Sequence, residues 1–342
     1  PVVMAYPLPE DAPFRPYPHS RIFGDPEKML FNEGAHAFNT GICSRDRVGD
    51  DLPCTVRANF GTVVIASLFG ARAEQVEENP PWIRHGDGRD VDLEGILDCD
   101  PLDFSQGWCP RVVETYRFYQ SVFADYPELK KTIRIVLPDM QGPLDNLELI
   151  TGSGVFTDFY SRPDLVSKAL RAVAHAQVGF ARHLTPCMSD GPEGFAHQHA
   201  TTIRGAVLLR DDTAILMSPE MYRDLVAPHD EYVLREFGGG GIHACGRMDR
   251  HTDAMLALPS VLCLDFGQPE MNEIDPVYRA AKAKRIALVR VKATEAELTS
   301  GRILSRFPTG VSLLYEAASV ADAQRTMGRY IEASERRAGH AS

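Results

Sequence analysis

The sequence predicts an α/β protein of the (β/α)8 TIM-barrel class, and two observations support this fold. Apolar runs of about five residues alternate with helical segments along the 342-residue chain, as is typical of parallel strands joined by helices. Polar side chains follow several of these runs directly, and catalytic groups of such barrels lie at the carboxyl ends of strands. A doubly wound sheet also places ligands there, but at least six strand–helix units after residue 50 favour the barrel.

The chain divides at about residue 50, where its composition changes. Residues 1–49 are rich in Pro, Gly, Asp and Arg, and we expect a helical N-terminal extension packed on the barrel. Asp25 followed by Pro26 predicts the start of a helix there, as N-cap and first helical residue. Residues 50–342 carry the strand–helix rhythm and should form the barrel itself. A glycine-rich nucleotide-binding motif is absent from the sequence, which disfavours dinucleotide-binding and P-loop folds.

Charge and composition restrict the classes of function. The net charge of −11 argues against a nucleic-acid or anionic-membrane surface. No apolar run approaches the roughly 20 residues of a membrane span. Seven irregularly spaced cysteines do not resemble a disulfide framework. We therefore expect a cytoplasmic protein that acts on a small molecule, with a homodimer left open.

Candidate functional residues follow the predicted strands. The strand ends supply three pairs of polar residues and two single ones, which are Asp139 and Gln141, Asp211 and Asp212, His243 and Cys245, and then Asp265 and Glu316 on separate strands. An aspartate in the barrel mouth can act as a general base, as a partner of a metal-bound histidine or as a metal ligand. The alternative for Asp211 and Asp212 is a turn or helix cap, and for Asp139 and Gln141 a loop role.

His243 and Cys245 form the sharpest of these candidates. They are two residues apart on a predicted strand, so their side chains point to the same face. An imidazole nitrogen and a thiolate suit zinc, whose catalytic sites use three protein ligands and leave a fourth position open. The alternative is a packed cysteine beside a hydrogen-bonded histidine. Gly246 follows the pair and ends the strand, which favours the metal site.

The segment "LLRDDTAILMSPEMYRDLVAPHDEYVLREFGGGGIHACG" resembles the uroporphyrinogen decarboxylase superfamily, and most of all its zinc-dependent cobamide methyltransferases. The likeness lies in the acidic pair after a strand, in "MSPEMYRDLVAPH" on the next helix and in the H-x-C-G element. A Q-G-P segment in "LPDMQGPLDNLELITG" is similar as well. The resemblance covers roughly residues 50–335, apart from a poorly matched stretch near 82–130.

This resemblance implies a (β/α)8 barrel whose H-x-C pair, here His243 and Cys245, holds zinc with a second cysteine near the last strand. The zinc binds a substrate thiol, which accepts a methyl group from a methylated corrinoid, so that methylcobamide is the donor and a corrinoid protein is the partner. At the place of the second cysteine this chain has Glu316, a residue that can bind zinc. Cys263 is the other candidate, although a small core residue is the favoured interpretation there.

Two other functions remain open. The decarboxylase branch has an N-terminal arginine-rich segment that grips substrate carboxylates, whereas this N-terminus offers Arg15, Arg21, Arg45 and Arg47 in no matching pattern. A decarboxylase acting on a polycarboxylate is therefore the second hypothesis. A non-catalytic barrel that only binds a ligand is the third. The pair His197 and His199 could bind metal or substrate, but we expect it in a surface loop.

Overall fold

Parallel strands form the centre of this protein, which was studied as a computed structural model that describes residues 1–7, 12–36, 38–39, 48–86, 90–190 and 194–339. The strands are β1 (Val2–Ala5), β2 (Thr55–Val56), β3 (Ala73–Glu74), β4 (Trp82–Ile83), β5 (Arg134–Ile135), β6 (Met140–Gln141), β7 (Phe195–Gln198), β8 (Thr201–Arg204), β9 (Val207–Arg210), β10 (Gly240–Ala244), β11 (Val261–Phe266), β12 (Ala287–Lys292) and β13 (Val311–Glu316). In the described residues the central sheet has seven strands, in the order β1-β13-β12-β11-β10-β9-β6. Every pairing in this sheet is parallel.

Helices join most consecutive strands of the sheet. They are α1 (Pro26–His36), α2 (Val64–Leu68), α3 (Leu93–Asp98), α4 (Cys109–Asp125), α5 (Leu129–Thr132), α6 (Pro143–Thr151), α7 (Val155–Ser161), α8 (Pro163–Leu184), α9 (Pro219–Met221), α10 (Ala227–Glu236), α11 (Thr252–Leu256), α12 (Ile274–Ala283), α13 (Glu295–Thr299), α14 (Arg302–Arg306) and α15 (Val320–Gly339). A π-helical turn over Tyr222–Val226 joins α9 to α10. The described residues contain no helix that combines the length and the apolarity needed to cross a bilayer. This alternation of parallel strands and helices is the arrangement of a TIM-barrel-like fold.

Helix α8 shows why these segments fold as the sequence predicts. Its buried residues include Val166, Ala169, Leu170 and Val173, which recur at the three- and four-residue spacing of one helix face. Pro163 occupies its first turn, where a missing amide hydrogen costs nothing. The predicted start of α1 is also confirmed, because the Asp25 carboxylate accepts a hydrogen bond from the Lys28 amide at 3.2 Å.

The first strand, β1, lies inside the segment that the sequence assigns to an external extension. Residues Val2–Ala5 pair in parallel with β13 and are integral to the sheet, whereas helix α1 packs near β2 as an extension would. The short run "VVMA" is buried at its first three positions. A four-residue apolar run carries too little periodicity to be told apart from a loop by sequence alone.

Strand β2 belongs to a separate two-stranded sheet, outside the seven-stranded one. It pairs in parallel with β5, and only four residues separate β5 from β6 at the sheet edge. Just before β2, the Asp51 amide donates a hydrogen bond to the Val2 carbonyl at 2.9 Å. The carboxylates of Asp50 and Asp51 accept hydrogen bonds from the Met4 and Val2 amides, each at 2.8 Å. Asp50 and Asp51, just before β2, are therefore in direct contact with β1.

An antiparallel hairpin, β7–β8, covers the inner face of the sheet. Ala196 and Ile203 of the hairpin form a small buried cluster with Leu208, Cys263 and Val289 of the sheet. Strand β8 accordingly contacts β10, β11 and β12. The hairpin thus fills the space in front of these strands and brings its turn towards their carboxyl ends.

The glycines before the H-x-C pair make room for this packing. A Cβ atom on Gly241 would lie 2.5 Å from the Cys263 sulphur and 2.7 Å from the Leu208 Cδ1. Both distances are shorter than real Cβ contacts, so a side chain at this position would displace the sheet interior. The glycine therefore allows β9, β10 and β11 to approach with Cys263 between them.

Substitution of Gly241 tests this packing. We expect Gly241→Ala to lower the free energy of unfolding by about 1–3 kcal/mol, the usual cost of overpacking a core. Gly154→Ala is the matched control, since nothing lies within 4 Å of a Cβ built there. Chemical denaturation of both variants gives the measurement. Equal stability of Gly241→Ala and the wild-type protein would contradict the close approach.

Candidate metal centre at the carboxyl edge of the sheet

A row of polar side chains crosses four neighbouring strands at one level. Gln141 pairs with Arg210, Arg210 with His243, and His243 with Asp265 in the strand register. Residues paired across parallel strands point to the same face of the sheet. All four lie at or near the carboxyl ends of their strands. The sequence predicts this position for Gln141, His243 and Asp265 but not for Arg210.

His243 stands at the centre of this row and is almost fully buried. Its Nδ1 lies 2.9 Å from the Asp265 Oδ2. Its Nε2 lies 3.5 Å from the Cys245 sulphur and 3.6 Å from the Asp212 Oδ1. A carboxylate only accepts hydrogen bonds, so Nδ1 carries the proton and the Nε2 lone pair points to Cys245 and Asp212.

The atoms of His243, Cys245 and Asp212 have the separation expected of zinc ligands. Bonds of about 2.0–2.3 Å at a tetrahedral angle place the ligand atoms of zinc roughly 3.3–3.8 Å apart. The two separations from His243 Nε2 fall in this range, and all three ligand atoms lie within 4.8 Å of one another. Nitrogen, sulphur and carboxylate oxygen are the donor types that zinc takes. These residues therefore fit a zinc ion.

The electrostatic environment of Cys245 also favours a bound cation. Burial and then the neighbouring Asp212 carboxylate raise the pKa of the Cys245 thiol to about 11. The thiol alone would therefore stay protonated at neutral pH. A bound metal ion reverses this preference, because it stabilises the thiolate and the carboxylate together. Gly267 leaves room beside the pair, since a Cβ there would lie 2.7 Å from the Cys245 sulphur.

Asp265 fixes the orientation of His243 through the hydrogen bond at Nδ1, on the side of the ring opposite Cys245. Arg290 donates two hydrogen bonds to its carboxylate, at 2.8 and 2.9 Å, and the His199 ring lies 2.9 Å from it. Burial raises the pKa of the Asp265 carboxyl, but hydrogen bonds from His199 and His243 and the Arg290 charge outweigh burial and hold it well below its usual range. Asp265 is thus a permanent anion that fixes the tautomer of His243, as the carboxylate partners of metal-bound histidines do.

A bulge in β12 aims Arg290 at Asp265. The pairing of β12 with β13 shifts between Leu288 and Val291, and Arg290 has a φ of +56°. Bulges often redirect a side chain next to a functional site. Arg290 could not be predicted as a site residue, because "RIALVRV" has the pattern of an ordinary buried strand.

His199 reaches the centre from the hairpin turn. His199 and Ala200 have φ values of +49° and +56°, so both central residues of the two-residue turn are left-handed. The His199 ring meets the His243 ring edge to face, with 4.5 Å between centroids. The expectation of a surface loop is wrong for this residue, because only 14% of its side chain is exposed. His197 instead pairs with Asp190, at 2.7 Å.

Glu316 and Cys263, the two residues weighed as a third ligand, lie away from the centre. The Glu316 side chain is 59% exposed and pairs with Lys292 at 2.7 Å. Cys263 is fully buried in the hairpin cluster, where burial raises the pKa of its thiol to about 12. Among the described residues, the groups with ligand-like spacing contain neither of them. Asp212, and not Glu316, lies beside His243 and Cys245.

Asp139 and Gln141 have structural partners beside the centre. The Asp139 carboxylate forms ion pairs with both Arg57 and Arg210. The Gln141 carbonyl accepts hydrogen bonds from the side chains of Asn146 and Gln177, at 3.0 and 2.7 Å. Asp139 thus links β6 and β9 to the segment after β2.

Asp211 points away from the centre into a buried group of carboxyls. It is fully buried near Asp230, which accepts a hydrogen bond from the Tyr222 hydroxyl at 2.8 Å. Asp145 is close as well and accepts the Thr213 amide at 3.1 Å. Burial raises the pKa of Asp211 well above its usual value and that of Asp230 to about 7. Asp211 therefore belongs to this buried group of carboxyls and not to the set around His243.

A cavity of about 460 Å³ opens beside the centre. Its wall includes His199 and Arg290, both of which contact Asp265, and Arg57 on the opposite side. Leu52 and Leu137 contribute apolar surface. A small molecule bound here would contact His199 and Arg290, the two residues that hold Asp265 behind His243.

The buried carboxyl pair predicts a pH dependence of stability. The unfolded chain releases a proton of this pair near the ordinary aspartate pKa, whereas the folded protein keeps it up to about pH 7. This contribution to the free energy of unfolding is therefore complete below about pH 4 and is lost as the pH rises through 7. Asp211→Asn stays neutral, so it should reduce the decline by on the order of 1 kcal/mol or more.

Denaturation at several pH values between 4 and 8 measures this decline. Asp253→Asn, at an exposed position, is the control and should decline as the wild-type protein does. A decline in Asp211→Asn equal to that of the wild-type protein would show that Asp211 holds no shared proton.

Comparison with known proteins identifies a fold and no family. No family model matches the sequence, and no curated protein matches it. A methyltransferase from Methanosarcina mazei has a similar structure, with a TM-score of 0.58 over 91% of this chain and 85% of that chain. The two sequences are 14% identical, so the likeness is one of fold. The resemblance to the uroporphyrinogen decarboxylase superfamily stays a prediction.

Proposed function

We propose that this protein is a zinc-dependent methyltransferase that moves a methyl group from a methylated corrinoid to a small thiol. The observation that carries the proposal is the donor set of His243, Cys245 and Asp212, spaced as zinc ligands are and anchored by Asp265. The H-x-C-G resemblance and the fold shared with a methyltransferase support it. A corrinoid protein as partner, a homodimer and a cytoplasmic location are parts of this proposal.

The proposal assigns three protein ligands to the metal. His243 gives Nε2, Cys245 gives its thiolate and Asp212 gives a carboxylate oxygen. Asp212 also accepts a hydrogen bond from the Cys245 amide at 2.6 Å, which fixes its carboxylate beside the sulphur. The fourth position is left for the substrate, as in catalytic zinc sites. This set has one thiolate where the methyltransferases that it resembles have two.

The chemistry requires a thiol that loses its proton near neutral pH. Bound zinc supplies a Lewis acid that lowers the pKa of a coordinated thiol. Asp265 keeps the proton on Nδ1 of His243, so that Nε2 stays a ligand. In the transfer, a carbon–sulphur bond forms, both electrons of the cobalt–carbon bond stay on cobalt, and the thiol proton is released. The cavity beside His199 and Arg290 holds the rest of the acceptor.

We also infer that the strands close into an eight-membered barrel, as the (β/α)8 class requires. The eighth strand is then the segment that runs through residues 50–56 to β2, and β1 is its neighbour. The hydrogen bond from the Asp51 amide to the Val2 carbonyl supports this closure. The pairing of β2 with β5 supports it from the other side.

A decarboxylase acting on a polycarboxylate is the second candidate, and the arginines at the cavity favour it. Arg57 and Arg290 both line the cavity, although each already holds an aspartate. Among the N-terminal arginines, Arg45 and Arg47 lie outside the described residues, and Arg15 and Arg21 are absent from the cavity wall. Zinc content separates the two candidates, because the decarboxylase hypothesis needs no metal.

Matched variants test the ligand set. Asp212→Asn and Cys245→Ser should each lower zinc affinity at least tenfold, because each removes an anionic ligand. Glu316→Gln and Cys187→Ser are the controls and should keep the affinity of the wild-type protein. Elemental analysis of the untagged protein and competition with a chelator provide the measurement. A wild-type protein without zinc, or a loss in Glu316→Gln but not in Asp212→Asn, would overturn this ligand set.

Methyl transfer itself is measured with free methylcobalamin and a simple thiol such as 2-mercaptoethanol. We expect loss of the cobalt–carbon absorbance only when both zinc and thiol are present. His243→Ala should abolish the reaction, and Cys187→Ser should retain it. If no thiol reacts and a porphyrinogen loses carbon dioxide, the second candidate is correct. The absence of both reactions would favour the non-catalytic, ligand-binding barrel.

A further inference from the structure

A second cavity lies on the outer helices, away from the metal centre. It has a volume of about 750 Å³ and is bounded by α3, α8 and α10. Helix α8 packs against both of the other two, so the cavity is a groove that follows its exposed face. We call it the outer groove. None of its lining residues belongs to the metal centre or to the cavity beside it.

The lining of the outer groove is cationic on two sides. Helix α8 contributes Lys168, Arg171 and His175, which share one face because they are three and four residues apart. Helix α10 contributes Arg235 from the opposite wall. His229 also lines this wall, but burial and the nearby Arg171 lower its pKa to about 4, so that it is neutral. No aspartate or glutamate is among the lining residues. This surface is unusual for a chain with a net charge of −11.

These cations are not neutralised by neighbouring carboxylates. Within the part of the chain that the structure describes, Lys168 and Arg171 form no ion pair. Arg235 reaches only Glu236, at 4.0 Å, and Arg182 already holds that carboxylate at 2.6 Å. Buried charges usually find partners, but exposed cations that converge on a concave surface attract anions.

The shape of the outer groove indicates the size of the anion. Lys168 and His175 are seven residues apart on α8, which corresponds to about 10 Å along the helix axis. One phosphate is too compact to contact that whole row, whereas two or three linked phosphates can follow it. Lysine and arginine bind phosphate oxygens as a point charge and as a planar fork.

The third wall of the outer groove is apolar. Ile96, Leu97 and Pro101 come from α3 and the residues after it, and Ala172 lies between the cations of α8. Leu97 is 40% exposed, so it offers apolar surface to a ligand. The Tyr232 ring stands on α10 between His229 and Arg235. These groups suit a flat aromatic or apolar portion joined to the phosphates.

We propose that the outer groove binds a small molecule with two or more linked phosphates and an aromatic group, the chemical class of nucleoside diphosphates. The phosphates lie along Lys168, Arg171 and His175, and the aromatic group lies between Tyr232 and Leu97. Binding of this kind uses side-chain cations, so it is compatible with a sequence that lacks a glycine-rich phosphate loop. It is independent of the zinc chemistry at the carboxyl edge.

Calorimetric titration with ADP, pyrophosphate and adenosine tests the proposal. We expect ADP to bind more tightly than pyrophosphate and adenosine to bind least. The double variant Lys168→Ala/Arg171→Ala should weaken ADP binding at least tenfold and reduce its dependence on salt. Arg329→Ala, an exposed arginine on α15, is the control for a general loss of charge. Thermal unfolding without ligand verifies that the variants are folded.

The outcomes distinguish the outer groove from other sites and other partners. Cys245→Ser should bind ADP as the wild-type protein does, and a loss in that variant would move the site to the metal centre and overturn the proposal. Equal ADP affinity of the double variant and the wild-type protein would also overturn it. Tighter binding of pyrophosphate than of ADP would refute the aromatic part. Binding of a glutamate-rich peptide in the absence of ADP binding would identify an acidic protein partner instead.

Discussion

The anion at Asp265 is the interaction on which the candidate centre depends. Its carboxylate is fully buried and meets three groups from three different elements, which are His243 of β10, Arg290 of β12 and His199 of the hairpin turn. A buried carboxylate without partners would take up a proton. Each of the three elements therefore has to be in place for Asp265 to stay ionised. The His243 tautomer follows from that ionisation.

Asp212 and Asp211 are adjacent in the sequence, but their side chains have different surroundings. The first lies beside Cys245 and accepts its amide hydrogen, whereas the second is buried on the other side among Asp230, Tyr222 and Asp145. Adjacent side chains at a strand end point to opposite faces. Two adjacent residues on a strand cannot both face the centre, and which of them does so depends on where β9 ends.

The fold and the core of the site were predictable to different extents. Parallel strands, helix α8 and the N-cap at Asp25 follow from periodicity and local hydrogen bonding, which the sequence expresses directly. His243 and Cys245 share a face because they are two residues apart along the chain. Asp265 shares it because it pairs with His243 in the strand register. The positions of Arg290, His199 and β1 were not predicted. Arg290 depends on a bulge, His199 on a turn without glycine and β1 on a strand of four residues, and each of these leaves little local signal in the sequence. Glu316 was favoured because it stands at the chain position of the second cysteine in the family that the sequence resembles. Its ion pair with Lys292 is a tertiary contact, which the sequence does not express.

The hairpin β7–β8 gives the molecule a local means of changing what its central cavity accepts. The hairpin spans about ten residues and its contacts with itself are between near neighbours in sequence, so its length can change without altering the order of the strands. His199 and Ala200 of its turn line the cavity of about 460 Å³ beside Asp265. A shorter hairpin would deepen that space and a longer one would close it. The size of this cavity is thus adjustable without a change of strand pairing, as long as the turn keeps His199 against Asp265.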